Sequence, residues 1–278
     1  MERIPLGISR LDQLIGGGAP TGSVVLLAGE SGAGAREFCY TSTVMNGLAT
    51  TDSDLFDLHY GDLEPETTAP NAVHYVSFTD GREAIADEMS VVIDPDVVAE
   101  GLADVEFADL AREYFQLTPV PTEWYADRPA DITDLETYTG DSDVFEAFGD
   151  YLTAHARKNL VVVDSITDLV ASVDDAFGWQ ELVVSLKGLA RASHQWGGVL
   201  LLLVNTDTLT PTQLGQLKEA ADGTLRFGWE SGGSERARTL VVEQFRSVLS
   251  RLEDENIVRF ETEIHDGGFD ISNVRKIR

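Results

Sequence analysis

Hydrophobic and polar positions divide the chain into two alternating kinds of segment. Short, nearly continuous runs of valine and leucine are typical of strands buried on both faces, and the segments between them carry apolar residues at helical spacing. The predicted strands are Val24–Ala28, Val73–Phe78, Leu160–Asp164 and Val199–Asn205. The predicted helices are Ala35–Gly47, Glu83–Val92, Val144–Arg157, Gly178–Gln195 and Thr212–Ala220. This order predicts an α/β fold with a mostly parallel central sheet and helices on both faces.

The pattern changes after Gly223, where short strands and glycine turns replace the strand–helix alternation. These strands predict an antiparallel extension of the sheet, and they are Leu225–Trp229, Thr239–Phe245, Ile257–Ile264 and Phe269–Ile271. Two acidic, proline-containing segments near 50–70 and 118–143 interrupt the earlier alternation. We interpret both as surface insertions, the first an exposed loop, within a single domain spanning 1–278.

Charge changes the picture more than any other property of the composition. The chain has 48 acidic and 20 basic residues, a net charge of −28, and only four lysines. Acids spread along the whole chain favour a protein from a halophilic, archaeal cytoplasm, where charge keeps proteins soluble although the Debye length is only about 3 Å at 1 M salt. An ordinary acidic protein is the alternative. The same charge disfavours nucleic acid as a partner.

Other classes are disfavoured by what the sequence lacks. The longest apolar runs are too short to span a membrane, and the opening MERIPLGISRLDQL has no apolar signal-peptide core, so we expect a cytoplasmic protein. Cys39 is the single cysteine, and the five histidines are scattered along the chain, which predicts no cysteine or zinc cluster.

The glycine loop AGESGAGAR, from Ala28 to Arg36, is the strongest chemical signal. It follows an apolar strand and opens a helix, as does the phosphate-binding pattern G-x-x-x-x-G-K-[ST]. The lysine position holds Ala35 and the hydroxyl position holds Arg36. The loop can still direct backbone N–H groups at an anion, but it lacks the lysine that contacts phosphate and the hydroxyl that binds Mg²⁺. The candidate nucleotide-binding residues are Gly29, Glu30, Ser31, Gly32, Ala33, Gly34, Ala35 and Arg36.

The opening IPLGISRLDQLIGGGAPTGSVVLLAG resembles the lead segment of the KaiC/RadA branch of RecA-like ATPases. AVHYVSF, LVVVDSIT, GVLLLLVNT and ADGTLR resemble later core segments of that family in the same order. The resemblance covers about half of the chain. It implies a RecA-like fold that binds ATP, a Walker B role for Asp164 in ordering Mg²⁺, and contacts with a second RecA-like subunit.

Four features of the pattern that this resemblance implies are altered, one of them a pair of residues. Two are Ala35 and Arg36. The glutamate pair that positions the attacking water is replaced by Thr79-Asp80, so Asp80 is the candidate general base. In the V-x-K-x-R motif that contacts a neighbouring subunit's phosphate, Arg246 is retained and the lysine is replaced by Gln244.

Three functions follow from these departures. The leading one is a degenerate, non-hydrolysing RecA/KaiC-like protein, a pseudo-ATPase with a regulatory or scaffold role through self-association or a RecA/KaiC-like paralogue. The second is an ATP-binding or ATP-hydrolysing enzyme in which Arg36 and Asp80 replace the missing groups. The third is an accessory protein of DNA recombination. ATP is the expected cofactor if one binds, and Asp164 is the only metal ligand that the resemblance offers for Mg²⁺; its alternative role is to end a buried strand.

Overall fold

The computed structural model describes residues 2–116, 118–125, 144–171, 178–231, 236–245, 248–254 and 257–276. The strands are β1 (Arg3–Ile4), β2 (Ala19–Pro20), β3 (Ser23–Gly29), β4 (Val73–Ser77), β5 (Glu106–Asp109), β6 (Leu160–Asp164), β7 (Val199–Asn205), β8 (Gly223–Ser231), β9 (Arg236–Phe245), β10 (Ile257–His265) and β11 (Gly268–Lys276). The helices are α1 (Ser9–Ile15), α2 (Ala35–Thr51), α3 (Ser53–His59), α4 (Arg82–Val92), α5 (Pro95–Gly101), α6 (Ala111–Phe115), α7 (Val144–His155), α8 (Ile166–Ala171), α9 (Trp179–Trp196), α10 (Pro211–Ala220) and α11 (Leu249–Asp254).

Nine strands form one sheet in the order β11-β10-β9-β8-β3-β7-β6-β4-β5. The strands from β8 to β5 in this order are parallel, and β9, β10 and β11 continue the sheet with antiparallel pairing. The predicted α/β fold, with its mostly parallel sheet and C-terminal antiparallel extension, is confirmed. One detail was wrong: β8, which contains Leu225–Trp229, pairs in parallel with β3 and begins the antiparallel part only at its other edge.

Alternate residues of each strand point to opposite faces of the sheet, and both faces are buried. In β3, Val25 and Leu27 join a core that includes residues of α1 to α5, whereas Val24 and Leu26 join a core formed with α7, α8, α9 and α10. The continuous valine and leucine runs are therefore the signature of two apolar cores on one strand. Within the described residues, no helix is both long and apolar enough to cross a membrane.

The segment expected as an exposed loop from Thr50 to Pro70 contains helix α3. Asp52 caps it by accepting hydrogen bonds from the N–H groups of Asp54 and Leu55. Phe56 and Tyr60 stack at a centroid distance of 4.7 Å, and both are buried. The sequence pattern did not predict this helix, because exposed acidic residues surround its buried aromatic residues. Of the second predicted insertion, 118–143, residues 126–143 lie outside the described residues.

Asp12 of the lead segment is a buried carboxylate with a structural task. It accepts hydrogen bonds from the N–H groups of Leu6 and Gly7, both at 3.0 Å, and from the hydroxyl of Tyr60 at 2.9 Å. Burial raises the pKa of Asp12 to about 7, and these three hydrogen bonds oppose the shift. Asp12 thus fixes the chain entering the first helix and ties it to α3.

Helix α2, which follows the glycine loop, crosses α5 at a point where both helices carry glycine. A Cβ atom added to Gly47 would lie 1.9 Å from the carbonyl oxygen of Gly101. We expect Gly47→Ala to lower the free energy of unfolding by about 2 kcal/mol, because backbone must move to admit the methyl group. Denaturant unfolding in molar KCl measures this. Gly215→Ala in α10 is the matched control: a Cβ there meets nothing within 4 Å, so it should stabilise by about 0.5–1 kcal/mol. Equal effects would contradict the tight crossing.

Candidate functional site

The loop between β3 and α2 has the backbone shape of a phosphate-binding loop. Gly32 and Gly34 have φ angles of +72° and +104°, in the left-handed region that favours glycine. A Cβ on Gly29 would lie 2.6 Å from the Cβ of Ala35, so the strand end must approach the helix start closely. The three glycines are therefore needed to make the turn, whether or not a ligand binds.

A cavity of about 410 Å³ lies against this loop at the carboxyl ends of the parallel strands. Ligand sites of α/β sheets are found at this edge, and the volume is in the range of small-molecule sites. Its lining comprises Gly29, Glu30, Ser31, Gly32, Gly34, Ala35, Arg36, Glu37, Ser165, Thr167, Asp168, Leu203, Val204 and Asn205. The structure thus brings seven of the eight candidate loop residues to one cavity, and Ala33 is buried beneath the loop.

Arg36 forms an ion pair with Asp164 inside this site. Its Nη2 atom lies 3.0 Å from Asp164 Oδ1, and the other carboxylate oxygen accepts a hydrogen bond of 2.7 Å from the Tyr75 hydroxyl. The Asp164 side chain is 9% exposed, whereas that of Arg36 is 48% exposed. Both carboxylate oxygens of Asp164 are thereby engaged by side chains of the same chain.

The charges of this pair depend on each other. Burial raises the pKa of the Asp164 carboxyl, and the charge of Arg36 and the Tyr75 hydroxyl act against that rise. Burial lowers the pKa of Arg36, but the nearby acidic groups, of which Asp164 contributes most, together outweigh it, and the net shift is upward. The guanidinium is therefore a counter-ion that favours the ionised form of this buried carboxylate.

The donor set at this position does not fit Mg²⁺. A magnesium ion in such a site is held by a loop hydroxyl and the Walker B aspartate, and it prefers oxygen ligands in an octahedral arrangement. Position 36 supplies a cation where the hydroxyl would be. Asp164 presents its two oxygens to Arg36 and Tyr75.

One loop amide is also taken by an internal acid. The N–H of Ser31 donates to Asp207 Oδ2 at 3.0 Å, and the amide of Asn205 donates to the Ser31 hydroxyl at 3.2 Å. Hydrogen bonds from Ser31 lower the pKa of Asp207. A carboxylate thus occupies a donor that would otherwise be available to an anionic ligand. Asp207 was not singled out from the sequence, although its place just after β7, at the same sheet edge as the loop, is a usable signal.

Strands β8 and β9 hold the outer side of the loop. Arg238 Nε donates to the carbonyl of Gly32 at 3.0 Å, and the indole of Trp229 donates to the carbonyl of Ser31 at 3.2 Å. The Arg238 guanidinium lies over the Trp229 ring, 4.9 Å from its centroid. These contacts attach the loop to β8 and β9.

The charge around the cavity is unfavourable for a polyphosphate. Glu30, Glu37 and Asp168 line it, and the one cation among its lining residues, Arg36, already pairs with Asp164. A bound triphosphate would have to compete with Asp164 for that cation without the help of a loop lysine. At low salt we expect repulsion, which molar salt would screen.

The remaining candidates are Asp80 and Arg246. Asp80 follows β4, accepts a hydrogen bond from the Thr79 hydroxyl at 2.8 Å and is exposed; it is not among the residues that line the cavity, although its charge contributes to the raised pKa of Asp164. Arg246, the predicted contact to a neighbouring subunit, lies outside the described residues. Tyr75 was not predicted as a site residue, because the strand pattern predicts that its side chain belongs to the core.

Comparison with known proteins supports the fold. A search of solved structures finds similarity to a KaiC-like protein from the hyperthermophilic archaeon Pyrococcus horikoshii, with a TM-score of 0.61, 17% sequence identity, and coverage of 98% of this chain and 99% of that one. No protein-family model matches this chain, and no curated protein matches it. At this identity the similarity is one of fold: this chain has the KaiC-like, RecA-like fold over nearly its whole length.

Proposed function

We propose that this chain is a RecA/KaiC-like pseudo-ATPase: a non-hydrolysing protein that acts by regulation or scaffolding through contacts with other proteins. The observation that carries this proposal is the Arg36–Asp164 ion pair, in which a guanidinium takes the place of a metal ion at the Walker B aspartate. The pair supports a site that keeps the shape typical of the fold but has an internal ion pair where a metal ion would bind.

The chemistry missing from the site explains why hydrolysis is not expected. Phosphoryl transfer depends on positioning and on cations that neutralise developing charge, and each such group contributes orders of magnitude in rate. Ala35 supplies no charge, Arg36 is engaged by Asp164, and Asp80 does not line the cavity. None of these residues can take over the roles of the loop lysine, the metal and the general base together.

The proposed partner is a second RecA-like subunit, either another copy or a KaiC-like paralogue. The support is the fold itself. The sequence resemblance implies that proteins with this fold contact one another at the edge of the nucleotide site. The acidic surface supports a halophilic, cytoplasmic setting, and it disfavours nucleic acid, the partner of the recombination alternative. The partner's activity, rather than that of this chain, would then be the regulated quantity.

Equilibrium binding of a fluorescent ATP analogue in molar KCl, with and without Mg²⁺, tests the proposal. Because Asp164 is committed to Arg36, we expect Mg²⁺ to leave the dissociation constant unchanged within twofold. We also expect no phosphate release above that of buffer, measured by a coupled phosphate assay. Binding without Mg²⁺ dependence would define a nucleotide sensor within the same proposal, since the loop amides remain a candidate anion site.

The enzyme alternative makes the opposite prediction in the same experiment. Mg²⁺-dependent micromolar binding, with hydrolysis that Asp164→Asn abolishes, would overturn the proposal. Glu37→Gln is the matched control, because it removes one charge from the cavity wall without touching Asp164. Hydrolysis that neither variant changes would indicate a contaminating enzyme.

A further inference from the structure

We propose that His74, Glu106 and His155 form a binding site for a divalent metal ion of the zinc class, separate from the glycine-loop cavity. His74 is near the start of β4, and Glu106 begins β5 as its register partner. His155 ends α7. The glycine loop follows the carboxyl end of β3, so the two sites lie at opposite ends of the parallel strands.

The distances among these three side chains suit one small ion. Glu106 Oε2 lies 3.5 Å from His74 Nδ1 and 3.8 Å from His155 Nδ1, and the three ligand atoms all lie within 4.8 Å of one another. Four ligands placed tetrahedrally about 2.1 Å from zinc are about 3.4 Å apart. The carboxylate therefore already stands at ligand distance from both imidazoles, and a small movement of His155 would complete the geometry.

The donor types also fit zinc better than a harder ion. Two imidazole nitrogens and one carboxylate oxygen are a common zinc set, whereas Mg²⁺ and Ca²⁺ prefer oxygen ligands throughout. Glu106 is 58% exposed and His155 is 40% exposed, so a water molecule can reach the fourth position. His74, in contrast, is buried and would anchor the ion to the sheet.

Surrounding residues hold the two imidazole rings in place. Tyr151 stacks on His155 with 4.4 Å between ring centroids, and its hydroxyl lies 2.9 Å from His74 Nδ1. The Asn159 side-chain nitrogen lies 2.9 Å from His74 Nε2 and donates to the His155 carbonyl at 2.6 Å. A metal ligand usually has its second nitrogen fixed in this way by a neighbouring group.

Metal binding imposes two rearrangements on this group. The Tyr151 hydroxyl, which lies 2.9 Å from His74 Nδ1, must leave the nitrogen that would bind the ion. With the Asn159 amide donating to Nε2, the neutral His74 ring carries its proton on Nδ1. A metal ion at Nδ1 requires the proton on Nε2, so Asn159 must turn its amide and accept with its oxygen, giving up its hydrogen bond to His155. Asn159→Asp supplies an acceptor for the Nε2 proton in either orientation, although its carboxylate must move away from the His155 carbonyl, to which it cannot donate.

The consequence of occupancy would be structural. Within the part of the chain that the structure describes, strand β5 lies at the edge of the sheet and pairs only with β4. A metal ion would join β5, β4 and the end of α7 through three side chains. Because binding to the native state alone stabilises it by mass action, zinc at about one hundred times its dissociation constant should raise Tm by several degrees, about 5–10 °C for a chain of this size.

The test is a titration of chelator-treated full chain with Zn²⁺ in molar KCl above neutral pH, followed by competition with a chromophoric chelator and by thermal unfolding. We expect one Zn²⁺ per chain. His155→Ala and Glu106→Gln, both at partly exposed positions, should each weaken binding at least tenfold, and Asn159→Asp should tighten it about tenfold. His59→Ala, which removes an exposed histidine elsewhere, should leave it unchanged.

Two results would overturn the site. One is the absence of any zinc-dependent change in Tm or chelator competition up to millimolar zinc. The other is binding that His155→Ala, Glu106→Gln and His59→Ala reduce equally, which would show adventitious binding by surface groups. Circular dichroism of each variant without metal confirms that the fold is retained, so that weaker binding is not misread as unfolding.

Discussion

Replacing Ala35 with lysine and Arg36 with threonine is expected to tighten the binding of ATP analogues at least a hundredfold and to make it dependent on Mg²⁺. The change releases Asp164 from its ion pair, provides the missing hydroxyl for the metal, and supplies a lysine for phosphate in place of the arginine, so that the net charge of the cavity is unchanged. Two or three favourable charge contacts of about 1–3 kcal/mol each account for this factor. Titration of a fluorescent analogue in molar KCl, with and without Mg²⁺, measures it.

The single variants separate the two contributions. Ala35→Lys alone adds a phosphate contact but leaves the Arg36–Asp164 pair, so any tighter binding should not depend on Mg²⁺. Arg36→Thr alone frees Asp164 but adds no phosphate contact. If the double variant binds no better than the parent, the obstacle is the loop itself, and Asp207→Ala then tests whether the Ser31 amide is the blocked donor.

Removing Arg36 should also destabilise the fold. Arg36→Met leaves Asp164 buried with the Tyr75 hydroxyl as its one remaining side-chain partner among the described residues. Loss of one partner of a buried pair costs about 3–5 kcal/mol, and we expect the lower end, about 3 kcal/mol, because the guanidinium is half exposed and partly screened by water. Denaturant unfolding in molar KCl measures the loss.

A double-mutant cycle and pH dependence identify the cause. Arg36→Met with Asp164→Asn should cost about 1–2 kcal/mol less than the sum of the single changes. Without Arg36, the pKa of Asp164 rises further; a raised carboxyl pKa favours folding at low pH and loses that benefit as pH rises, so the deficit of Arg36→Met should shrink on acidification. Arg275→Met, in an exposed ion pair with Glu261, is the control and should cost at most about 1 kcal/mol. Strict additivity in the cycle would contradict the pair.

The sequence was most informative where burial dictated residue type. Strands β3, β6 and β7 are apolar on both faces, so composition alone marks them. The edge strand β5 reads Glu-Phe-Ala-Asp, with its two terminal acids exposed, and it could not be told from a loop. Helix α3 was missed for a related reason: its acids face water, and Phe56 is its only fully buried residue.

The sequence predicted where the site lies, but not that Arg36 pairs with Asp164. Glycine spacing located the loop, and the motifs singled out Arg36 and Asp164 separately. Their contact depends on strand order, which places β6 two strands from β3, and on the reach of a long side chain. The cluster of His74 and His155 is a stronger example, because residues from one strand and a distant helix meet only after the sheet has formed.

Trp229 gives the loop an optical reporter of its own. Its indole donates to the Ser31 carbonyl and lies beneath the Arg238 guanidinium, so its emission depends on the loop's conformation and on the charge above the ring. The chain has four tryptophans, and replacing Trp124, Trp179 and Trp196 with phenylalanine would leave this one as the source of signal. The fluorescence of the unlabelled protein would then report in real time whether the loop is empty, occupied or in contact with a partner.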